Sequence, residues 1–197
     1  MKIYVSTIIR EDLNEFATRE LKRIGMGAEG HVFSTGNYAI KKIIANGINT
    51  QEEMVRLYGL NKALQKLHHP HLADILDIRV EKDEDGKIKN IEILKEKLEK
   101  LNPEEYFHFN DLILLLAKIG VRRNLKRLKD KIVYDKVTNN IDSVGNENIR
   151  KNLWGVIDAS LFLLNNNMDK YFWEGEYDLN SKNVMKDSKG VFKIIDF

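Results

Sequence analysis

The chain of 197 residues has no cysteine, only two prolines and a net charge of just +2. Without cysteine there is no disulfide framework to compensate for a small core. No stretch rich in proline, glycine and serine divides the sequence, and no fixed-period repeat is visible, so any lobe boundary must show as a change of periodicity. With 32 Lys+Arg against 30 Asp+Glu, the chain is no general polycation, and binding to nucleic acid or membrane through overall charge is not expected. Long apolar runs are also missing: residues 112–117 form a run far short of the roughly 20 residues a membrane helix needs, and Ile3-Tyr4-Val5 gives way at once to Ser6-Thr7. A soluble, cytoplasmic protein with no membrane partner is the expectation. What is present is 43% hydrophobic and 31% charged residues, enough for one compact domain or two small lobes with a real core.

The periodicity changes near residue 100. Before it, strand-like pieces recur at 21–24, 31–34, 38–44, 75–81 and 88–94, the last two separated by the turn sequence Asp83-Glu84-Asp85-Gly86. One helix is expected over 50–68, with Met54, Leu57, Leu60 or Ala63, Leu64 and Leu67 at three- and four-residue steps, Thr50 as N-cap and Glu53 as its capping-box partner. After Asn102-Pro103 the pattern turns helical, near 110–119, 124–134 and 148–165. A last hairpin is expected, with 183–185 and 191–195 flanking Asp187-Ser188-Lys189-Gly190. The fold class is therefore α+β, an antiparallel sheet with a helix first and a helical lobe second.

Two strings carry chemistry. Gly25-Met26-Gly27-Ala28-Glu29-Gly30-His31-Val32 lies between expected strands, where glycines let a loop backbone donate N–H groups to phosphate. Glycines at this spacing also mark ordinary hairpins. The next strand holds Ala39-Ile40-Lys41-Lys42; if Ala39 and Lys41 share a side, Lys41 places an ammonium beneath that loop, whereas solvated lysines are the plainer alternative. The second string is Asp178-Leu179-Asn180-Ser181-Lys182-Asn183, followed after the hairpin by Asp196-Phe197. A short hairpin returning Asp196 toward Asn183 brings an amide and a carboxylate together, the hard oxygen donors that magnesium takes alongside phosphate and water. Turn and strand-end roles are the plainer alternative here too.

Taken in order, G-x-G-x-x-G-x-V, A-x-K, D-L-x-x-x-N and D-F resemble the protein-kinase family. His68-His69-Pro70-His71-Leu72 resembles the turn after its first-lobe helix, and residues 91–98 the strand leading into its hinge. The resemblance runs from about residue 21 to 197 and is faint between 103 and 148; the chain is also similar to small kinase-like proteins of tailed phages. It implies a two-lobed fold: residues 1–98 a β-rich nucleotide-binding lobe, and 99–197 a helical lobe with the catalytic loop and metal-binding hairpin. It implies ATP and Mg²⁺ as cofactors. Gly25, Gly27 and Gly30 would cover the phosphates, Lys41 would pair with the α- and β-phosphates, and Val32 and Ala39 would roof the adenine near Glu96 to Leu98. Asp178 would orient the attacking hydroxyl, and Asn183 and Asp196 would hold the metal. The implied activity is transfer of the γ-phosphate to a hydroxyl of protein or small molecule; a nucleotide-binding pseudokinase serving as a regulatory module is the alternative.

The pattern departs from the family in four places. Glu176-Tyr177 stand where the family has His-Arg, and Asn180 stands where protein kinases carry lysine, so Lys182 is the candidate to reach the transferring phosphate. The helix partner of Lys41 is expected at Glu53, which also suits a plain helix-start role. No glycine, activation segment or later helices follow Phe197, which implies a minimal or truncated helical lobe whose missing substrate wall a partner or second copy supplies. Arg122, Arg123, Lys126, Arg127, Lys129 and Lys131 read as a solvated face that can also meet an acidic partner. The bunched His68, His69 and His71 read as turn and packing residues, and Trp154, Phe162 and Trp173 as core.

Overall fold

Alternating apolar residues become a five-stranded antiparallel sheet, and three- and four-step apolar stripes become helices, in a computed structural model that describes residues 22–26, 30–35, 38–45, 50–121, 124–171 and 179–195. The strands are β1 (Lys22–Met26), β2 (Gly30–Thr35), β3 (Tyr38–Ile44), β4 (Ile75–Lys82) and β5 (Ile88–Glu96), arranged β1-β2-β3-β5-β4. The chain divides into two compact units. One groups Leu76–Lys97 with the described residues up to Met54, and the other groups Val55–Ile75 with Leu98–Phe197.

In the first unit, β2 and β3 pair in unbroken register from Gly30↔Ile43 to Thr35↔Tyr38. β3 then pairs with β5 from Tyr38↔Glu96 to Ile44↔Asn90. β1 runs two residues beyond its expected end, because Gly25 and Met26 pair with Val32 and His31 around a bulge at Ile24. The turn after β4 closes on Asp83, whose carboxylate accepts from Lys87 N at 2.8 Å while Gly86 takes the positive φ of 77° that the turn needs. Ile43, Ile91 and Ile93 are fully buried at the centre of the sheet.

Helix α1 (Gln51–Leu64) opens with the capping box read from the sequence: Thr50 N donates to Glu53 Oε2 at 2.8 Å and Glu53 N to Thr50 Oγ1 at 3.2 Å. Only its first turn groups with the sheet. From Val55 onward it belongs to the second unit, because Leu60 joins that unit's core and Ala63, Leu64 and Leu67 pack against it. The helix stops four residues short of the expected 68. Tighter three-residue bonds, Lys66 N to Ala63 O and Leu67 N to Leu64 O, draw the chain into the His69-Pro70 turn.

The second unit is built on α2 (Pro103–Lys118), α3 (Lys131–Asp142), α4 (Glu147–Asn165) and the hairpin β6 (Val184–Lys186) with β7 (Phe192–Ile194). α2 starts seven residues before the expected 110, because Asn102 and Glu105 form a second capping box and Pro103 fits its first position. The helix expected over 124–134 is instead a 3-10 turn, Leu125–Lys129, followed by α3. Asp130 separates them by accepting from Ile132 N and Val133 N at 2.9 and 3.1 Å, which makes it an N-cap. Phe109, Leu112, Val137, Ile141, Leu153, Leu163 and Phe192 are wholly inaccessible and form the centre of this unit. Each such side chain contributes about 1.5–3 kcal/mol relative to exposure. Among the described residues no helix is long and apolar enough to cross a membrane.

Candidate functional site

Strand register decides which way Lys41 faces. Lys41 lies opposite Val32 on β2 and Ile93 on β5, and Gly25 lies opposite Val32, so these four residues form one row across the sheet. By the alternation of a strand, Ala39, Lys41 and the fully buried Ile43 share that face. Lys42 takes the other face, where its Nζ meets Glu92 Oε1 at 3.0 Å in a half-exposed ion pair. The two adjacent lysines therefore have different surroundings, Lys41 on the face with Val32 and Ala39 and Lys42 paired on the opposite one.

Of the glycine string, Gly27 lies outside the described residues. Gly25 and Gly30 are strand residues rather than loop residues. A Cβ on Gly30 would come within 2.0 Å of the Lys42 carbonyl oxygen. That strand therefore requires glycine for its own pairing, independently of any ligand. Glu53 uses its carboxylate in the α1 cap, the helix-start role. Glu96 ends β5 opposite Tyr38, and the chain passes from one unit to the other between Lys97 and Leu98, where the resemblance places the hinge.

In the second unit, Asp178 and Asp196 lie outside the described residues, and residues 179–195 between them are described. Leu179 is buried as an apolar plug. Asn180 turns the chain: its Oδ1 accepts from Lys182 N at 2.8 Å and its carbonyl from Asn183 N at 3.0 Å. That side chain is thereby committed to the turn, while Lys182 beside it is exposed. β6 and β7 pair from Val184↔Ile194 to Lys186↔Phe192, and one step further Ile195 N donates to Asn183 O at 2.9 Å. The hairpin thus returns the chain to Asn183 one residue before Asp196. An amide oxygen and a carboxylate are the hard donors magnesium takes, and of the two expected ligands only Asn183 lies among the described residues. Among the described residues there is no cluster of three or more His, Asp or Glu side chains able to hold a metal.

The hairpin is held from several sides. Lys186 and Glu99 exchange backbone bonds at 2.8 Å. Lys186 Nζ reaches both oxygens of Glu105, at 3.0 and 2.8 Å, with the two side chains 20% and 14% exposed. Tyr106 Oη and Ser181 Oγ are 3.1 Å apart. Glu105, Lys186 and the α4 residue Asn152, whose amide donates to Gly190 O at 3.0 Å, are supporting residues that sequence reasoning missed. The string Asn-Pro-Glu-Glu at 102–105 signals a capping box and was the available pointer to Glu105.

Leu125 and Leu128 turn inward and leave Lys126, Arg127 and Lys129 exposed, with Lys131 exposed at the start of α3. Arg122, Arg123 and Trp173 lie outside the described residues. Trp154 packs against the core and donates from Nε1 to Asp142 at 3.1 Å. Phe162 lies 5.0 Å from the His69 ring. No protein-family model matches the chain, and no curated protein matches it significantly.

Proposed function

We propose that this chain is an ATP- and magnesium-dependent phosphotransferase of the protein-kinase fold, acting on a hydroxyl of a protein or small molecule. The observation that carries the reading is the bond from Ile195 N to Asn183 O, by which the hairpin returns the chain to Asn183 at the residue that precedes Asp196 in the sequence. The placement of Lys41 on the face shared with Val32 and Ala39 supports it from the other unit.

In this reading Lys41 holds an ammonium against the α- and β-phosphates, and Asn183 and Asp196 contribute oxygen ligands to the metal. Asp178 accepts and orients the proton of the attacking hydroxyl, and Lys182 neutralises charge on the transferring group. Bound MgATP supplies the phosphoryl group. The protein's own contribution is positioning and electrostatic stabilisation. Incubation with γ-labelled ATP, Mg²⁺ or Mn²⁺ and mixed protein and small-molecule acceptors should give transfer that disappears in Asp178→Asn. Absence of transfer under all metals and acceptors refutes the activity.

A second reading, a nucleotide-binding pseudokinase, is favoured by one observation: Asn180 stands where protein kinases carry lysine, and its Oδ1 accepts from Lys182 N in a local turn. It predicts thermal stabilisation by MgATP without turnover. Turnover abolished by Asp178→Asn rules it out.

A further inference from the structure

The outer edge of β7 has no neighbouring strand in its two-stranded sheet, yet its backbone is satisfied at every outward position. Phe192 N donates to Asn152 Oδ1 at 3.0 Å, and Phe192 O accepts from His71 Nδ1 at 2.8 Å. Ile194 N donates to His71 O at 2.9 Å, and Ile194 O accepts from Ala73 N at 3.0 Å. The Asn152 side chain of α4, the His71 ring and, through a single parallel bridge of Leu72 with Ile194, the backbone of residues 71–73 therefore stand where a third strand would be.

This matters because β6 and β7 have three residues each. So short a two-stranded ribbon is not stable by itself, and a slip by one residue turns every side chain to the other face. The return of the chain to Asn183 through Ile195 N therefore depends on what fixes β7. We propose that His71 and Asn152 are positioning residues for the phosphotransfer site, clamping both backbone groups of Phe192 and so fixing β7 against Asn183. This rests on the phosphotransferase reading above.

The partners also define the protonation of the clamp. His71 Nδ1 faces a carbonyl and carries the proton. Its Nε2 faces Gly155 of α4, where an added Cβ would lie 2.0 Å away. His69 Nδ1 accepts from His71 N at 3.2 Å, which leaves its Nε2 proton for Asp158 Oδ2 at 3.1 Å. Burial holds the pKa of His71 below its ordinary 6.5 against the opposing pull of the bond to Phe192 O. His69 and Lys193 push it further down and Asp158 pushes it up. A second proton on His71 places a cation against the α4 backbone, so acid loosens the clamp.

The test is amide exchange on the full ¹⁵N-labelled chain, with rates corrected for intrinsic pH dependence, alongside MgATP thermal shifts. Asn152→Leu should speed exchange of the Phe192 and Ile194 amides about tenfold while Leu112 and Phe109 in α2 keep their rates. It should also weaken the magnesium dependence of the ATP-induced shift, and Asn152→Asp, which retains the acceptor for Phe192, should recover it. His71→Gln retains an N–H donor without a titrating ring; it should keep β7 protected and remove the acid-dependent rise seen in the wild type between pH 7 and 5.5. Unchanged β7 exchange in Asn152→Leu, or a rise shared equally by α2, overturns the positioning role whatever MgATP does. Faster β7 exchange combined with a wild type that shows no MgATP response overturns the phosphotransferase reading, and the clamp's role in that site with it.

Discussion

Gly155→Ala should destabilise the protein, although the same change inside a helix ordinarily stabilises by about 1 kcal/mol. Gly155 is buried in the middle of α4. An added Cβ would lie 2.0, 2.1 and 2.4 Å from Nε2, Cε1 and Cδ2 of His71. The ring cannot share that space and cannot keep its 2.8 Å bond to Phe192 O while moving away. Overpacking costs about 1–3 kcal/mol. Stranding a buried carbonyl costs about 1–3 kcal/mol more. Offset by the helix-propensity gain, the net loss is about 1–5 kcal/mol. Urea denaturation followed by tryptophan fluorescence, with Gly145→Ala as a control at a position whose added Cβ meets open space, measures it. The sign should reverse when the ring is absent: in a His71→Ala background, Gly155→Ala should raise stability by about 0.5–1 kcal/mol. A neutral or stabilising effect in the wild-type background, or the same loss in both backgrounds, refutes the reasoning.

Other outcomes follow from the same geometry. Stability should fall with acidity through His71: its pKa is lower folded than unfolded, so between 6.5 and the lowered value the unfolded chain binds more protons. The contribution is fully present above pH 6.5 and is lost as pH drops through that window, a dependence that urea midpoints at pH 7.5, 6.5 and 5.5 should show and His71→Gln should flatten. Lys41→Met should abolish MgATP stabilisation in a thermal shift, whereas Lys42→Met, which breaks only the surface pair with Glu92, should leave it within experimental error. Equal effects from the two lysines contradict the facing assigned to them. Lys186→Met removes both contacts to the largely enclosed Glu105 carboxylate and should cost about 1–3 kcal/mol, read as a lower urea midpoint at unchanged slope.

Much of the fold was legible because it is written locally. The strand 38–44, the Asp83 to Gly86 turn, the Thr50–Glu53 cap and the final hairpin each depend on residues within a few positions of one another, where turn chemistry and periodicity act directly. Errors arose where a polar residue had two local uses. Asp130 looked like one charge inside a helical stretch and is an N-cap between a 3-10 turn and α3. Asn102-Pro103 looked like a boundary and is the start of α2. Gly25 and Gly30 looked like loop glycines, and pairing drew both into strands.

By itself the sequence determined the α+β class, the order of the candidate motifs and the spacing that lets a hairpin return the chain to Asn183, since each follows from composition, periodicity or count. Strand alternation already turns Lys41 and Lys42 opposite ways. Only the tertiary structure decided that Lys41 shares the face of the buried Ile43 while Lys42 pairs with Glu92, that α1 leaves the sheet's unit after one turn, and that Phe192 is gripped by His71 and Asn152. What each face meets depends on which elements pack against it. The Phe192 grip joins residues 121 and 40 positions apart, and no local pattern encodes a contact that exists only once separate elements have packed.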